Sequence, residues 1–180
     1  MHLLARSMLV LAFGLAVAAP ARGAEVSSVD TLDISRYAGE WHEIARLPMF
    51  FQRKCARAII ARYTLRDDGQ IGVHNSCVTE DGDTDSAEGV ARRVENQPGR
   101  LEVRFAPDWL GWLPLTWADY WVIALDPDYQ WAMVGEPGRE YLWILSRTPD
   151  ITHERLDDLK ARAQAMGYDL EELIVSAPVR

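Results

Sequence analysis

The stretch AIIARYTLRDDGQIGVHNSCV, residues 58–78, contains two segments rich in strand-forming residues on either side of a strong turn. Residues 58–65 are dense in Ile, Tyr and Thr, and residues 71–78 alternate apolar with polar side chains. Between them lies Asp67-Asp68-Gly69-Gln70, in which Asp and Gly tolerate the positive φ of a tight turn. The stretch therefore predicts a β-hairpin.

The same pattern of short apolar segments and turn residues continues along the chain. Asp126-Pro127-Asp128, Glu136-Pro137-Gly138 and Gln97-Pro98-Gly99 are predicted turns between such segments. Strands joined by tight turns form an antiparallel meander, which must close on itself or leave two exposed edges. The eight predicted strands are residues 36–47, 58–65, 71–78, 87–94, 101–105, 120–125, 131–134 and 141–145.

A single helix is predicted, after the last of these strands. Thr152 can cap it, and apolar residues recur at helical spacing from Leu156 to Met166, until Gly167 ends it. A last apolar segment, residues 173–175, can add a ninth strand at an edge. The pattern thus predicts an all-β fold, an eight-stranded antiparallel up-and-down β-barrel with one C-terminal α-helix and a short ninth strand.

Length and composition fit one globular domain. The 180 residues are 48% hydrophobic and 26% charged, and 27 acidic against 19 basic side chains give a formal net charge of −8. This charge argues against a general nucleic-acid binder, which needs a basic surface to neutralise phosphates. No G-x-S-x-G, G-x-G-x-x-G, P-loop or H-E-x-x-H motif occurs, and His42, His74 and His153 lie on separate elements. Neither a metal site nor a cofactor is predicted.

Residues 1–24 have the layout of a secretory signal peptide. A positively charged start precedes an apolar run over residues 7–19, which is shorter than the roughly 20 residues that span a bilayer. Small residues follow at 19–24, with cleavage expected between Ala21 and Ala24, and no cysteine lies there to accept a lipid anchor. We therefore expect residues 25–180 to form a soluble domain that is periplasmic or secreted.

Export changes the interpretation of the two cysteines. In an oxidising compartment a disulfide between Cys55 and Cys77 is the default, and closing a loop of roughly 22 residues would stabilise the fold by about 3 kcal/mol. A strict register through the hairpin places residue 59 opposite Cys77, so the bond needs a bulge or help from the preceding loop. A catalytic Cys–His pair is the alternative, although no supporting residues surround either cysteine.

Three short motifs occur in order at the ends of predicted strands. Gly39-Glu40-Trp41 lies near the start of the first strand, Asp126 with Tyr129 follows the sixth, and Arg147 follows the eighth. In this order they resemble the G-x-W motif, an altered T-D-Y motif and the third motif of the lipocalin family. Leu125 stands in place of the threonine of the second motif. The longer strings WHEIARLP (41–48), ARYTLRDDG (61–69) and YLWILSRTP (141–149) resemble bacterial lipocalins related to apolipoprotein D.

The resemblance implies a non-enzymatic carrier or scavenger of a small hydrophobic ligand, such as a fatty acid, a lysophospholipid or a similar lipid. Gly39, Trp41, Asp126 and Arg147 would then close one end of the barrel. Trp41 supplies a large, rigid plug, and Arg147 can lie over its ring as a cation–π pair. We expect these residues to stabilise the fold rather than to contact the ligand.

Alternation of side chains along each strand sorts the barrel interior from its exterior. With Trp41 and Arg147 inside, the interior becomes mostly apolar with a few polar groups, which suits an acyl chain. The sixth strand is apolar on both faces, and the resemblance places Tyr120, Val122 and Ala124 inside. A barrel packed solid is the alternative. The predicted ligand-binding residues are Ala61, Tyr63, Val73, Asn75, Tyr120, Val122, Tyr141 and Trp143. Glu43 and Glu88 offer an enzymatic alternative, acid–base chemistry on a lipid, if both are buried with raised pKa values.

Aromatic and basic residues gather in the loops expected at the open end. Phe50 and Phe51 precede Arg53 and Lys54, and the loop after the fifth strand carries Trp109 and Trp112. Three interpretations stay open: contact with a membrane surface or an anionic lipid head group, a homodimer contact, or loops folded over their own barrel.

Overall fold

The structure is a computed structural model that describes residues 25–106 and 116–180. Each of eight antiparallel strands pairs with the next, and the eighth returns to the first, which closes an up-and-down barrel. A ninth strand lies outside the barrel and pairs with the first strand. The predicted fold class is confirmed. The strands are β1 (Gly39–Arg46), β2 (Cys55–Leu65), β3 (Ile71–Thr79), β4 (Thr84–Val94), β5 (Gln97–Arg104), β6 (Ala118–Leu125), β7 (Trp131–Gly135), β8 (Leu142–Ser146) and β9 (Ile174–Val175).

The predicted C-terminal helix is α2 (His153–Ala165), and the side chain of Thr152 caps it by accepting from the backbone N–H of Arg155. A one-turn helix α1 (Ile34–Tyr37), which the sequence pattern did not predict, precedes β1. The Asp33 side chain caps α1, which contains part of the predicted first strand. A further short 3₁₀ turn spans Phe50–Gln52 in the loop after β1. No helix of the described residues is long and apolar enough to cross a membrane.

The predicted turn at Gln97-Pro98-Gly99 was wrong, since these residues belong to β5. The chain turns two residues earlier, where Asn96 adopts a φ of 58°. Gly99 serves close packing instead: a Cβ there would lie 2.4 Å from the carbonyl oxygen of Val29. The N-terminal segment crosses at this point, and the Val29 N–H donates to the Val122 carbonyl at 2.8 Å.

Apolar side chains form two cores. The interior core surrounds Trp41 within the barrel, and the outer core lies between the outside of the barrel wall and α2, with Leu159 fully buried in it. A bulge in β6 between Val122 and Ala124 reverses the alternation there. Ala124 consequently lies in the outer core, which corrects the expectation that it faces the interior.

Strand β1 changes partners along its length. Its first half, Gly39 to His42, pairs with β2, whereas its second half pairs with β8 on one side and with β9 on the other. No register pair joins β1 to β2 beyond His42 and Ile60. Beyond His42, β9 and the Ser176 N–H, which donates to the Ile44 carbonyl at 2.8 Å, take the place of β2 beside β1.

Candidate functional site: the barrel cavity

The barrel encloses a cavity of about 530 Å³, which is within the range of ligand pockets. One end, formed around Trp41, is closed, and the other end, the mouth, lies beside the loop that follows β1. Val122 was predicted to bind ligand but does not line the cavity, because it lies nearer the closed end and is fully buried in the interior core. The other predicted residues all line it: Ala61, Tyr63, Val73, Asn75, Tyr120, Tyr141 and Trp143.

The closed end is held by Arg147. Its guanidinium carbon lies 3.8 Å from the centroid of the Trp41 ring, which is fully buried. Gly39 has a φ of +96°, and a Cβ there would approach Arg147 Nη1 to 3.3 Å. Burial lowers the pKa of the Arg147 guanidinium from its usual value. The guanidinium donates to five backbone carbonyls, those of Arg36, Tyr37, Ala38, Glu40 and Tyr129.

The altered second motif joins the turn after β6 to the region of α1. The Asp126 carboxylate accepts from the backbone N–H groups of Asp128 and Gln130 at 3.1 and 3.2 Å. Tyr129 has a φ of 59°, and its hydroxyl accepts from the backbone N–H of Asp33 at 2.9 Å. Asp126 therefore shapes a turn that closes the barrel end.

Three buried tyrosines, Tyr37, Tyr63 and Tyr120, form a hydrogen-bonded group that we name the tyrosine cluster. The Tyr120 hydroxyl lies 2.8 Å from that of Tyr37 and 2.7 Å from that of Tyr63. Burial raises the pKa of Tyr63 to about 12 and raises those of Tyr37 and Tyr120 well above their usual value. The cluster is thus a set of neutral hydroxyls, and Tyr63 and Tyr120 present theirs at the cavity floor.

Asn75 places an amide on the cavity wall above this floor. It faces Ala61 across the β2–β3 ladder, two residues closer to the mouth than Val73, which faces Tyr63. Its Oδ1 is buried and has no hydrogen-bond partner among the described residues. Buried polar atoms are nearly always paired, so this oxygen is an exception, and it is enclosed by the protein rather than exposed to the cavity.

A buried ion pair, which sequence patterns did not indicate, lies on the opposite side of the cavity. Glu43 accepts from Arg46 at 2.7 Å and from Ser176 at 2.6 Å. Its other oxygen accepts from the side-chain amide of Gln52, whose oxygen in turn accepts from the Trp143 indole N–H at 3.0 Å. Gln52 thereby connects the loop after β1 to the cavity wall. The three-residue spacing of Glu43 and Arg46 gives little signal in a strand, where it places side chains on opposite faces; the bulge between Glu43 and Ala45 brings them together.

The expectation that Glu43 and Glu88 share the barrel interior was wrong. Glu88 lies on the outer face of β4, where its side chain is 78% exposed and pairs with His74 at 2.5 Å. Alternation on β4 explains this, because Glu88 faces outward when Ala87 lines the cavity. The two carboxylates do not form one site.

The disulfide between Cys55 and Cys77 is confirmed, with the two Cα atoms 5.5 Å apart. Two register shifts in β2, one on each side of Arg57, bring Cys55 opposite Thr79. Ala58, between these shifts, has a φ of 49°. The bulges in β2 therefore shift Cys55 along the strand far enough to reach Cys77. Both sulfurs take part in the disulfide bond, so neither is a free thiol.

The rim of the mouth beside the disulfide is both aromatic and basic. Phe50 and Phe51 are 69% and 53% exposed, and both border the cavity. Arg53, Lys54 and Arg57 are exposed close by, and none forms an ion pair with a described residue. The predicted aromatic residues Trp109 and Trp112 lie outside the described residues. Within residues 25–106 and 116–180, no group of three or more His, Cys, Asp or Glu side chains could hold a metal ion.

The geometry agrees with sequence comparisons. The profile of the lipocalin-like domain matches residues 32–178. The chain belongs to the lipocalin family. Temperature-induced lipocalin-1 of Arabidopsis thaliana is 41% identical to this lipocalin over 152 residues, covering 83% of this chain and 81% of that protein. The outer membrane lipoprotein Blc of Escherichia coli K12 is 40% identical over 158 residues, covering 86% and 83%.

The fold of this lipocalin also matches solved structures. Insecticyanin from the tobacco hornworm Manduca sexta superimposes with a TM-score of 0.62 at 23% identity, covering 89% of this chain and 88% of that chain. Lipocalins generally bind small hydrophobic ligands.

Proposed function

We propose that this lipocalin carries one small hydrophobic molecule with a single acyl chain, such as a fatty acid or a lysophospholipid, by equilibrium partition into the barrel. The cavity of about 530 Å³ is the observation that supports this function. Burying about 14 methylenes at about 0.8 kcal/mol each would contribute roughly 11 kcal/mol before costs. Association and ordering costs of similar size leave an affinity on the order of micromolar.

The charges around the cavity orient such a ligand. No Lys or Arg among the described residues lines the cavity, whereas Glu43, Asp85 and Asp119 do. An anionic head group inside the barrel would lack a cationic partner and would pay a large desolvation cost. It therefore stays at the mouth, where Arg53, Lys54 and Arg57 are exposed.

The same rim supports a second proposal, transient docking on an anionic membrane surface. Exposed Phe50 and Phe51 supply apolar contact, and the neighbouring cations supply attraction to acidic lipids. Docking there would bring the mouth against the membrane from which the ligand is taken. The alternative is that the same rim forms the contact of a homodimer.

We also propose that the mature protein is periplasmic or secreted, released from a signal peptide over residues 1–24. The disulfide supports this compartment because such bonds persist in oxidising environments. The name of the Escherichia coli relative places that protein at the outer membrane.

Ligand binding is tested on the full chain with a fluorescent fatty-acid probe and by mass spectrometry of lipids extracted from the purified protein. Ala61→Trp fills the cavity from its wall and is expected to reduce probe affinity at least about tenfold. Ala56→Trp, at an exposed position of the same strand, is the matched control and should bind as the parent does. A parent protein that arrives empty and leaves the probe in water would overturn the proposal.

Docking is tested by co-sedimentation with vesicles that contain phosphatidylglycerol. Phe50→Ser combined with Phe51→Ser should abolish co-sedimentation, whereas Leu65→Ser, which removes another exposed apolar side chain away from the mouth, should not. Equal co-sedimentation of all three proteins would contradict docking. Analytical ultracentrifugation of the parent and the double variant tests the homodimer alternative. A dimer that is lost in the double variant would assign the rim to self-association.

A further inference from the structure

The loop after β1 is held to the barrel strands by the side chain of Gln52. We name residues 50–54 the mouth loop; Met49 before it is buried, and Cys55 after it is fixed by the disulfide. Among the residues that the structure describes, the hydrogen bonds from the mouth loop to the barrel strands both come from the Gln52 amide. The other hydrogen bonds of the loop stay inside it or reach Met49.

The two bonds of the Gln52 amide reach the inner face of the wall formed by β1 and β8. Its Nε2 donates to the Glu43 carboxylate at 2.8 Å, and its Oε1 accepts from the Trp143 indole N–H at 3.0 Å. Only this orientation of the amide satisfies both partners, because a carboxylate cannot donate and an indole N–H cannot accept. All three side chains line the cavity, and Glu43 lies three residues before the end of β1. The mouth loop therefore folds back into the barrel.

The partners of Gln52 are held in place by residues outside the mouth loop. Glu43 also accepts from Arg46 at 2.7 Å and from Ser176 at 2.6 Å. Trp143 lies opposite Arg46 in the ladder between β1 and β8. Loss of the Gln52 amide would thus leave the barrel wall intact and release the mouth loop between its two fixed ends.

We propose that Gln52 is a latch that holds the mouth loop closed, and that the latch opens each time a ligand enters or leaves. The ring of Phe51 lies 5.9 Å from that of Tyr141 and is 53% exposed, so opening exposes the rest of its apolar surface. In water this exposure is unfavourable, whereas at a membrane surface the ring can enter the interface. The inference rests on the proposed function: docking opens the latch and couples exchange of the acyl chain to the membrane.

Stopped-flow fluorescence of the full chain measures the rates at which the fluorescent fatty-acid probe binds and leaves. Gln52→Met keeps the length of the side chain and removes both hydrogen bonds. Both rates should rise about tenfold while the dissociation constant changes less than about threefold, because a latch alters how often the loop is open and not how well the probe fits. Gln164→Met, the same substitution at an exposed position of α2, is the control and should leave both rates unchanged.

Vesicles that contain phosphatidylglycerol test the coupling to the membrane. They should speed release of the probe from the parent at least about fivefold relative to vesicles of phosphatidylcholine alone, which take up the probe without attracting the basic rim. Gln52→Met, whose latch is already open, should gain less than about twofold from the same vesicles. Phe50→Ser combined with Phe51→Ser should gain nothing from them.

The outcomes separate the latch from the carrier function. If Gln52→Met releases the probe faster without binding it faster, Gln52 is a ligand contact and not a latch. If both rates equal those of the parent, the mouth loop does not limit exchange. Either result overturns the inference and leaves the carrier function standing. Equal acceleration of the parent and Gln52→Met by the vesicles would contradict the coupling to the membrane. A parent protein that does not bind the probe would contradict the proposed function itself.

Discussion

The guanidinium of Arg147 covers the face of the Trp41 indole at 3.8 Å, while the indole N–H donates to the Tyr37 carbonyl at 2.8 Å. Arg147 bonds to that same carbonyl from the other side, at 3.1 Å. Residues more than a hundred positions apart thus share one acceptor. Arg147, which directly follows the last barrel strand, therefore fixes the closed end by bonding to the segment that leads into the first strand.

Arg147→Lys should destabilise the protein by about 2 kcal/mol, because a lysine retains the charge but cannot reach five carbonyls as the planar guanidinium does. Urea unfolding followed by tryptophan fluorescence measures the change. Arg155→Lys, in an exposed ion pair on α2, is the control and should shift stability by less than about 0.5 kcal/mol. Equal effects of the two substitutions would contradict the role given to Arg147.

Reduction of the disulfide should lower the free energy of unfolding by about 3 kcal/mol, since the bond closes a 22-residue separation in the unfolded chain. Cys55→Ser combined with Cys77→Ser should show the same loss without reductant. Urea unfolding of parent and variant, each with and without dithiothreitol, provides the measurement. A variant as stable as the oxidised parent would show that the bond does not constrain the unfolded state.

Glu43→Gln should destabilise by about 3 kcal/mol, because it leaves the Arg46 charge buried without a counter-ion. Glu88→Gln is the matched control: its carboxylate is largely exposed, and we expect a change within about 0.5 kcal/mol. Thermal and urea unfolding of both variants decide the point. Similar stabilities for the two would mean that the Glu43 ion pair is not a structural element.

Alkaline pH should unfold the protein through its buried tyrosines. The pKa of Tyr63 is raised from 10.0 to about 12, so the folded state keeps its proton while the unfolded state loses it. The stability that depends on this proton is complete below pH 10 and is lost as the pH rises to about 12. The loss from Tyr63 alone is roughly 2–3 kcal/mol.

Urea midpoints at pH 8, 10 and 11, together with phenolate absorbance, test this dependence. Unfolding and late phenolate formation should coincide, and Tyr63→Phe should show a smaller loss of stability over this range than the parent. Titration of all six tyrosines with a midpoint near pH 10 in a protein that stays folded would contradict the burial of the tyrosine cluster.

Regular alternation was enough to predict the parts of the barrel that are regular. The hairpin of β2 and β3 and the helix after β8 follow from spacing and turn residues, whereas the positions of Trp41 and Arg147 follow from the resemblance to lipocalins. Seven of the eight predicted ligand-binding residues line the cavity, because the strands on which they lie keep their period of two through the cavity region.

The features that sequence did not predict arise where the period breaks or where distant residues meet. The bulge that turns Ala124 outward and the bulge that joins Glu43 to Arg46 leave no mark in the hydrophobic pattern. Tyr63 and Tyr120 were predicted in the cavity as separate polar groups. Their connection through Tyr37 depends on α1, a single turn too short for helical periodicity to reveal.

The change of partner by β1 at His42 gives the end of the chain a place in the barrel wall. Beyond that residue β9 replaces β2 beside β1, and the Ser176 N–H donates to the Ile44 carbonyl at 2.8 Å. The Ser176 hydroxyl also donates to the buried Glu43 carboxylate, 133 positions earlier in the sequence. The C-terminal segment therefore completes the barrel wall and is not an appendage to it.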